Sequence, residues 1–362
     1  MTEGGSREAQ VFERIEAFRR RAPRLREEQI TLAHGAGGKS SAALIESVFL
    51  PAFQAGGEPV EQGDAAVLQL ASGERLAFST DSYVVKPMRF PGGSIGHLAV
   101  HGTINDLAMA GARPIALSVA FVLEEGLSVE VLRDIVADMA EAATRAGVPI
   151  VTGDTKVVDR GAADGLFITS SGVGVVPAGR HLGASKVEVG DVVIVSGPIA
   201  EHGMAVMLAR GDLALEADIR SDTAPLHGLV EALLAAAPDT RWMRDATRGG
   251  VGTVVNELAR DTDLTVVLEE SDLPVLPSVA GACELLGIDP LYVANEGRFI
   301  AVVPSDQAEA ALVAMQAHPL GPAAARIGEI RAEPPGIVVL VTPFGGTRIV
   351  DMLVGDPLPR IC

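Results

Sequence analysis

Apolar runs broken by glycine, proline and aspartate recur along most of the chain, and their lengths alternate between strand-sized and helix-sized. Val67 to Leu70 and Arg75 to Ser79 read as strands, and Gly92-Gly93 opens a helical pattern from Ser94 to Ala110. Pro114 to Val122 reads as a strand, Ser128 to Ala146 as a helix, and Val148 to Val151 and Leu166 to Val176 as further strands. Gly179, Arg180, His181 and Gly183 break the pattern, so a domain boundary is expected near residue 180. Beyond it the buried-strand run Val192 to Ser196 leads to helices at Met204 to Arg210, Ala224 to Ala237 and Val251 to Arg260. Strands and helices then alternate through Leu264 to Leu268, Ser278 to Leu286, Phe299 to Val303, Gln307 to Gln316, Arg326 to Ile330 and Gly336 to Val341. The two halves read as two α/β layers of similar build, within an α+β fold class. Their strands are too unevenly spaced to specify a doubly wound parallel sheet.

The ends differ from this body. Residues 1–28 are charged and read as a solvated extension, helical in pattern from Glu8 to Arg20. The expected division is therefore an extension (1–28), two domains (29–180 and 181–345) and a tail (346–362). A length of 362 residues with 48% hydrophobic content suits two cores. The net charge of −18 argues against nucleic acid, which needs basic patches. It leaves room for a nucleotide, whose phosphates glycine amides and carboxylate-bound metal ions can hold. Cysteine occurs only at 283 and 362, so a disulfide framework is not expected and a reducing cytoplasm fits. No apolar run reaches the ~18–20 residues that span a membrane, and the start is no secretory signal. A cytoplasmic protein is expected.

Candidate chemistry sits at the breaks. In His34-Gly35-Ala36-Gly37-Gly38-Lys39 the glycines permit close approach of backbone N–H groups to an anion ahead of an amphipathic run from Ala43 to Phe53. The spacing matches neither the P-loop nor the dinucleotide fingerprint, so it reads equally as a turn or a phosphate loop. Asp64, Asp81, Asp106 (beside Asn105) and Asp154 each stand by a separate apolar segment. Singly they read as cap or turn residues; together they offer hard oxygen ligands for Mg²⁺, with Lys156 near Asp154 and Thr155 to balance phosphate charge. The stretch Arg244-Asp245-Ala246-Thr247-Arg248-Gly249-Gly250, a polar turn before a helix, is a second potential anion site. Glu296 is an ordinary loop carboxylate or a base, and Cys283, on an apolar helical face, is core. The chain ends Leu358-Pro359-Arg360-Ile361-Cys362. A thiolate is a strong nucleophile and acyl carrier, and the prolines favour an extended arm that neither helix nor central strand holds down. The alternative is a frayed end that finishes in cysteine.

Several of these stretches occur together in one family. Ala33 to Gly38, Ser79-Thr80-Asp81-Ser82, Phe90-Pro91-Gly92-Gly93, Gly102 to Ala108, Thr152 to Lys156, Thr247 to Gly250, Asn295-Glu296-Gly297 and the terminal Pro359-Arg360-Ile361-Cys362 resemble the HypE family of [NiFe]-hydrogenase maturation factors. That family lies in the aminoimidazole ribonucleotide synthetase-like (PurM-like) superfamily. The resemblance runs in order from about residue 29 to 362; the departures are the long extension and Ala246, where the family usually has proline. It implies an N-terminal α/β domain whose sheet pairs in a homodimer, a C-terminal α+β domain and a flexible tail. It implies ATP and Mg²⁺ held by the glycine loop (His34, Gly35, Gly37, Gly38, Lys39), by Asp64, Asp81, Asn105, Asp106, Asp154 and Thr155, and by Thr247 and Arg248. It further implies that a HypF-type carbamoyltransferase loads Cys362, that the carbamoyl group is dehydrated to a thiocyanate, and that the cyanide passes to a HypC–HypD complex. Glu296 is expected to take a proton from the carboxamide nitrogen while Lys156 orients the group. A selenophosphate synthetase-like kinase would need a Cys near the glycine loop, and none precedes residue 283. A passive ATP-binding carrier of the group on Cys362 is the other alternative.

Overall fold

The structure, a computed structural model, describes residues 25, 27–53, 63–211, 217–353, 358 and 360–362. The helix expected from Glu8 to Arg20, and Gly355, Pro357 and Pro359 of the expected extended arm, lie outside the described residues. The described residues up to 53 belong to one compact unit and those from 63 onward to a second. In the smaller unit a 3₁₀ turn at Leu32–Gly35 precedes α1 (Lys39–Leu44), a wider turn at Ile45–Phe49 and α2 (Leu50–Phe53).

The larger unit contains two main sheets. The first holds β1 (Ala66–Gln69), β2 (Arg75–Tyr83), β5 (Arg113–Glu124), β6 (Ile150–Val158) and β7 (Leu166–Val176) in the order β1-β2-β7-β5-β6; β3 (Arg89–Phe90) and β4 (Gly93–Ser94) make a separate short hairpin. Only β5 and β6 pair in parallel. One face is covered by α3 (Ile95–Met109), buried along nearly its whole length, with α4 (Val129–Ala146) packed against it. The α4 helix is bounded as its sequence dictates. Ser128 accepts a hydrogen bond from the Glu130 N–H at its start, and Gly147 takes the left-handed conformation at its end.

Two strands run further than the apolar pattern indicates. β2 continues through Asp81 and β6 through Thr152 to Lys156, so these residues lie within strands rather than after them. The long β5 supplies the missing ladder partners, pairing Ala120 with Asp154 and Val122 with Lys156. Asp154 and Lys156 therefore share one face, the one turned away from α3.

The second sheet holds β8 (Val192–Val195), β9 (Trp242–Asp245), β10 (Thr265–Glu269), β11 (Phe299–Val303), β12 (Ala325–Arg331), β13 (Val338–Val341) and β14 (Thr347–Val350), in the order β14-β13-β10-β12-β8-β11-β9. Its helices are α5 (Glu201–Ala209), α6 (His227–Ala236), α7 (Gly250–Thr262), α8 (Pro277–Leu286) and α9 (Ala308–Gln316). Val193, Val195, Ile300 and Val302 pack with Val251, Val254 and Leu258 of α7; Val192, Ile194, Phe299 and Val303 pack with Leu229 and Leu233 of α6 and Met315 of α9. Burial on both faces is why β8 and β11 read as unbroken apolar runs. Cys283 is buried on α8, in the core. Strand β14 falls inside the stretch 346–362 expected as a tail. Gly345 and Gly346 make the turn, and Thr347 to Val350 pair antiparallel with β13. No helix among the described residues is long and apolar enough to cross a membrane.

Candidate functional site

Asp64 stands just before β1, Asp106 in the last turn of α3 and Asp245 at the end of β9. One carboxylate oxygen from each lies within 4.8 Å of the others. Burial first, and then the neighbouring carboxylates, hold Asp106 and Asp245 well above the usual carboxylate range. Burial raises Asp64 to about 6, although Arg244 Nε lies 2.7 Å from its Oδ1. Ser79 Oγ donates to Asp106, and Tyr83 Oη donates to Asp81 at 3.3 Å. Asp106 also faces the carbonyl end of its own helix, the wrong end for an anion. A cluster that its own surroundings penalise this heavily suits a hard divalent cation.

Asp245 is the member that sequence reasoning missed. It stood in a stretch read as an anion-binding turn, although it closes a buried strand just before a polar turn, as the other candidate acids stand by theirs. Asp154, expected as a metal ligand, does not join the cluster in this chain. It lies on exposed edge strand β6, where Lys156 Nζ lies 2.6 Å from its Oδ2 and the Thr155 N–H donates to its Oδ1 at 2.8 Å. Lys156 is thereby engaged with Asp154 rather than with Glu296.

Glu296 is buried, in the loop between α8 and β11, and is held from two sides. The Glu296 and Gly297 N–H groups each donate to the Asp222 carboxylate at 3.2 Å. Asn105 Nδ2 donates to the Glu296 carbonyl at 3.2 Å and to the Ala224 carbonyl at 3.1 Å, and its Oδ1 accepts from the Leu226 N–H at 2.7 Å. Asn105, expected to hold nucleotide, therefore has its amide engaged in fixing this loop. Gly297 is required by close approach, since a Cβ there would lie 1.9 Å from the Asp222 carbonyl oxygen. Burial first, then Asp245, Asp222 and Asp81, drive the proton affinity of Glu296 well up, while Arg248 opposes them. Asp222 carried no motif and lies more than seventy residues from Glu296.

Thr247 Oγ1 donates to Asp245 Oδ1 at 3.4 Å, and the next residue, Arg248, has its charge reinforced first by Cys362 and then by Asp81 and Glu296. The C-terminus thus lies in the same electrostatic neighbourhood as the acid cluster. It is not frayed. The Val84 N–H donates to the Cys362 carbonyl oxygen at 3.1 Å and the Lys86 N–H to the Arg360 carbonyl at 3.3 Å, a strand-like ladder. The Arg360 guanidinium pairs with Asp164 and donates to the Val84 carbonyl; Arg210 Nη2 donates to the Arg360 carbonyl at 2.9 Å. Leu358 and Ile361 are buried, with Cys362 packed beside them. Arg360 takes a left-handed backbone (φ 57°), a strain of about 1–2 kcal/mol for a non-glycine residue that these contacts offset.

In the smaller unit, His34 Nδ1 accepts from the Thr31 N–H at 2.9 Å, Gly37 has φ 79°, the Gly37 N–H donates to Ser41 Oγ at 2.9 Å, and Gly38 leads into Lys39 at the start of α1.

Residues 62–176 match the family of AIR synthase related proteins, N-terminal domain, and residues 188–341 match its C-terminal domain. Carbamoyl dehydratase HypE of Rhodobacter capsulatus is 56% identical over 342 residues, spanning 93% of this chain and 99% of that one. The chain belongs to the HypE family. Two solved HypE structures carry the likeness into three dimensions. A HypE–HypF complex superposes with a TM-score of 0.80 at 46% identity, covering 86% of this chain and all of that one. A HypE in complex with ATP superposes with a TM-score of 0.77 at 44% identity, covering 92% and 100%.

Proposed function

We propose that this HypE-family chain dehydrates a carbamoyl group carried on the sulfur of Cys362 to a thiocyanate at the expense of ATP, supplying cyanide for the iron of [NiFe] hydrogenases. The observation that carries the reading is the inward-held C-terminus, whose Cys362 leads the charges acting on Arg248, itself acted on by Glu296. An amide oxygen is a poor leaving group. Transfer of the γ-phosphoryl group to it releases ADP; the C–O bond then breaks, phosphate leaves with the electron pair, and the two nitrogen protons are lost as the C≡N bond forms. Catalysis of the phosphoryl step is mainly positioning and charge compensation. Asp64, Asp106 and Asp245 would hold Mg²⁺, which supplies that compensation when bound, and Asp81 adjoins them. Arg248, on which the C-terminal residue acts, would offset charge that develops there, and Glu296 takes the nitrogen proton.

The relative solved with HypF supports a HypF-type carbamoyltransferase as the loading partner here, and the relative solved with ATP supports ATP as co-substrate. A HypC–HypD complex as acceptor is what membership of the family implies. His34, Gly35, Gly37, Gly38 and Lys39 stay proposed phosphate contacts on composition alone.

The open face of the first sheet supports a homodimer. Leu68, Phe78 and Val175 lie exposed on it with the hydroxyl pairs Thr80–Ser171 and Ser82–Thr169. The Asp154–Lys156 pair lies on that face too, so pairing would bring Lys156 to a second copy. Sedimentation is expected to give twice the chain mass; a concentration-independent monomer overturns the dimer.

The reading itself is tested by intact mass measurement of the C-terminal peptide after incubation with carbamoyltransferase, carbamoyl phosphate and ATP–Mg²⁺. A carbamoyl adduct on Cys362 that loses one water only with ATP is expected. An adduct that never loses water indicates a passive carrier, and an unloaded Cys362 overturns the assignment.

A further inference from the structure

We infer that His202 is a positioning residue that sets the register of the reactive C-terminus, by donating from Nε2 to the carbonyl of Ile361, the residue next to Cys362. His202 is fully buried near the start of α5. Its Nε2 lies 2.9 Å from the Ile361 carbonyl oxygen and its Nδ1 lies 2.8 Å from Ser221 Oγ. These partners decide the tautomer. A carbonyl only accepts, so Nε2 carries the proton, and in the neutral ring Nδ1 must then accept from the Ser221 hydroxyl. Ser221 Oγ in turn accepts from the Thr223 N–H at 3.1 Å. The result is one directed chain, from the Thr223 amide through Ser221 and the imidazole to the Ile361 carbonyl, in which every proton has a single place.

The ring is fixed on its remaining sides as well. Phe90 meets it edge-on, with ring centroids 5.4 Å apart at 83°. The neighbouring Gly203 leaves room for the tail: a Cβ there would come within 3.1 Å of Leu358 Cδ1 and 2.5 Å of Val293 Cγ1. Burial keeps the imidazole in its neutral form, the form this chain of donors requires.

The segment that orients His202 also orients the proposed base. Ser221 holds the imidazole, while the adjoining Asp222 accepts from the N–H groups of Glu296 and Gly297. The Ser221 N–H is anchored in turn to the Pro91 carbonyl at 2.8 Å. Two adjacent residues on one short segment therefore tie the thiol-bearing end and Glu296 to a common reference. Ladder bonds from Val84 and Lys86 hold the tail along its length; His202 ties it in addition, through Ser221, to the segment that holds the Glu296 loop.

The inference rests on Cys362 as the carrier, so its test includes a readout that does not depend on catalysis. Alkylation of Cys362 by iodoacetamide, followed on the intact protein, reports how often the tail leaves its seat. His202→Leu removes the donor at similar bulk, and loss of one buried hydrogen bond is expected to speed alkylation about tenfold. His202→Gln, whose amide can donate toward the same carbonyl, is expected to stay within about threefold of wild type. Ser221→Ala, a change too small to endanger folding, is expected to move alkylation in the same direction as His202→Leu. In single-turnover dehydration of pre-carbamoylated protein, His202→Leu should be slowed about tenfold or more and His202→Gln largely rescued, while loading by the carbamoyltransferase is retained in both. Wild-type alkylation in both His202→Leu and Ser221→Ala overturns the inference, as does a Gln variant no better than Leu. A wild-type Cys362 that is never loaded overturns the carrier reading instead, and leaves the alkylation result to decide the role of His202.

Discussion

Replacing Glu296 with glutamine is expected to slow dehydration of the carbamoylated tail by about 10²- to 10⁴-fold while making the metal-free protein harder to unfold. The two effects share one cause. Glu296 is buried among Asp245, Asp222 and Asp81, with Arg248 the single opposing charge among its main influences, so its carboxylate holds a proton far more strongly than an exposed glutamate does. That makes it a strong base when ionised and a cost to the fold in the same state. Glutamine keeps the shape and leaves the backbone bonds to Asp222 and Asn105 untouched, but it accepts no proton. Loading of Cys362 should be unaffected, because that step does not require a proton to be taken from the carboxamide nitrogen. The sign with pH follows from linkage. The folded-state proton affinity is raised, so as pH increases beyond the ordinary carboxylate range the unfolded chain releases this proton first, and wild-type stability falls. The melting temperature of Glu296→Gln should therefore exceed that of wild type by a margin that widens with pH, as scanning calorimetry would read it. The wild-type dehydration rate should rise with pH along a limb displaced upward from the ordinary glutamate range. Unchanged single-turnover dehydration in the variant would remove Glu296 from the chemistry.

Local pattern revealed much of this architecture and little of its wiring. Leu166 to Val176 emerges as β7 at its expected limits, and the helix expected at Ser94 to Ala110 is α3 within a residue or so, because each carries its own periodicity and stops. The unbroken apolar runs at β8 and β11 were legible for the same reason. What escaped were contacts made at long range. Asn105 shows in the sequence only as an amide beside an acid; its partners Ala224 and Glu296 stand 119 and 191 residues away. Asp154 and Lys156 looked like the end of a strand because the apolar run stops at Val151, yet the neighbouring β5 extends the ladder past them and turns both outward. The C-terminus read as a free arm from its prolines. Its restraints come from Val84 and Lys86 and from His202, none of which the tail itself announces. Asp222 stood in no motif, and Asp245 stood in a stretch read for an anion; only the fold brings Asp245 to Asp64 and Asp106, and Asp222 to the Glu296 loop.

The acid cluster supplies the other large effect. Mg²⁺ is expected to raise the melting temperature of the wild-type protein and to leave Asp106→Asn unmoved. At a hundredfold excess over its dissociation constant a ligand of the folded state adds about 2.7 kcal/mol, a shift of several degrees in a chain of this size. Asp106 is the informative position because its surroundings oppose its charge most completely. It is buried, Asp81, Asp245 and Asp64 all act on it, and the carbonyl end of α3 points the same way. Arg244 lies against Asp64 instead. Asparagine can still accept from Ser79 Oγ, so the local hydrogen bond survives while the charge does not. In chelator the variant should thus melt above wild type, and in Mg²⁺ the order should narrow or reverse. ATP-dependent dehydration should fall by about 10²-fold or more, since several kcal/mol of charge compensation at the phosphoryl group are lost. Equal Mg²⁺ shifts in both proteins would remove Asp106 from the ligand set. An asparagine variant less stable than wild type in chelator would mean that the three carboxylates are compensated within the fold, and that no cation is needed to hold them together.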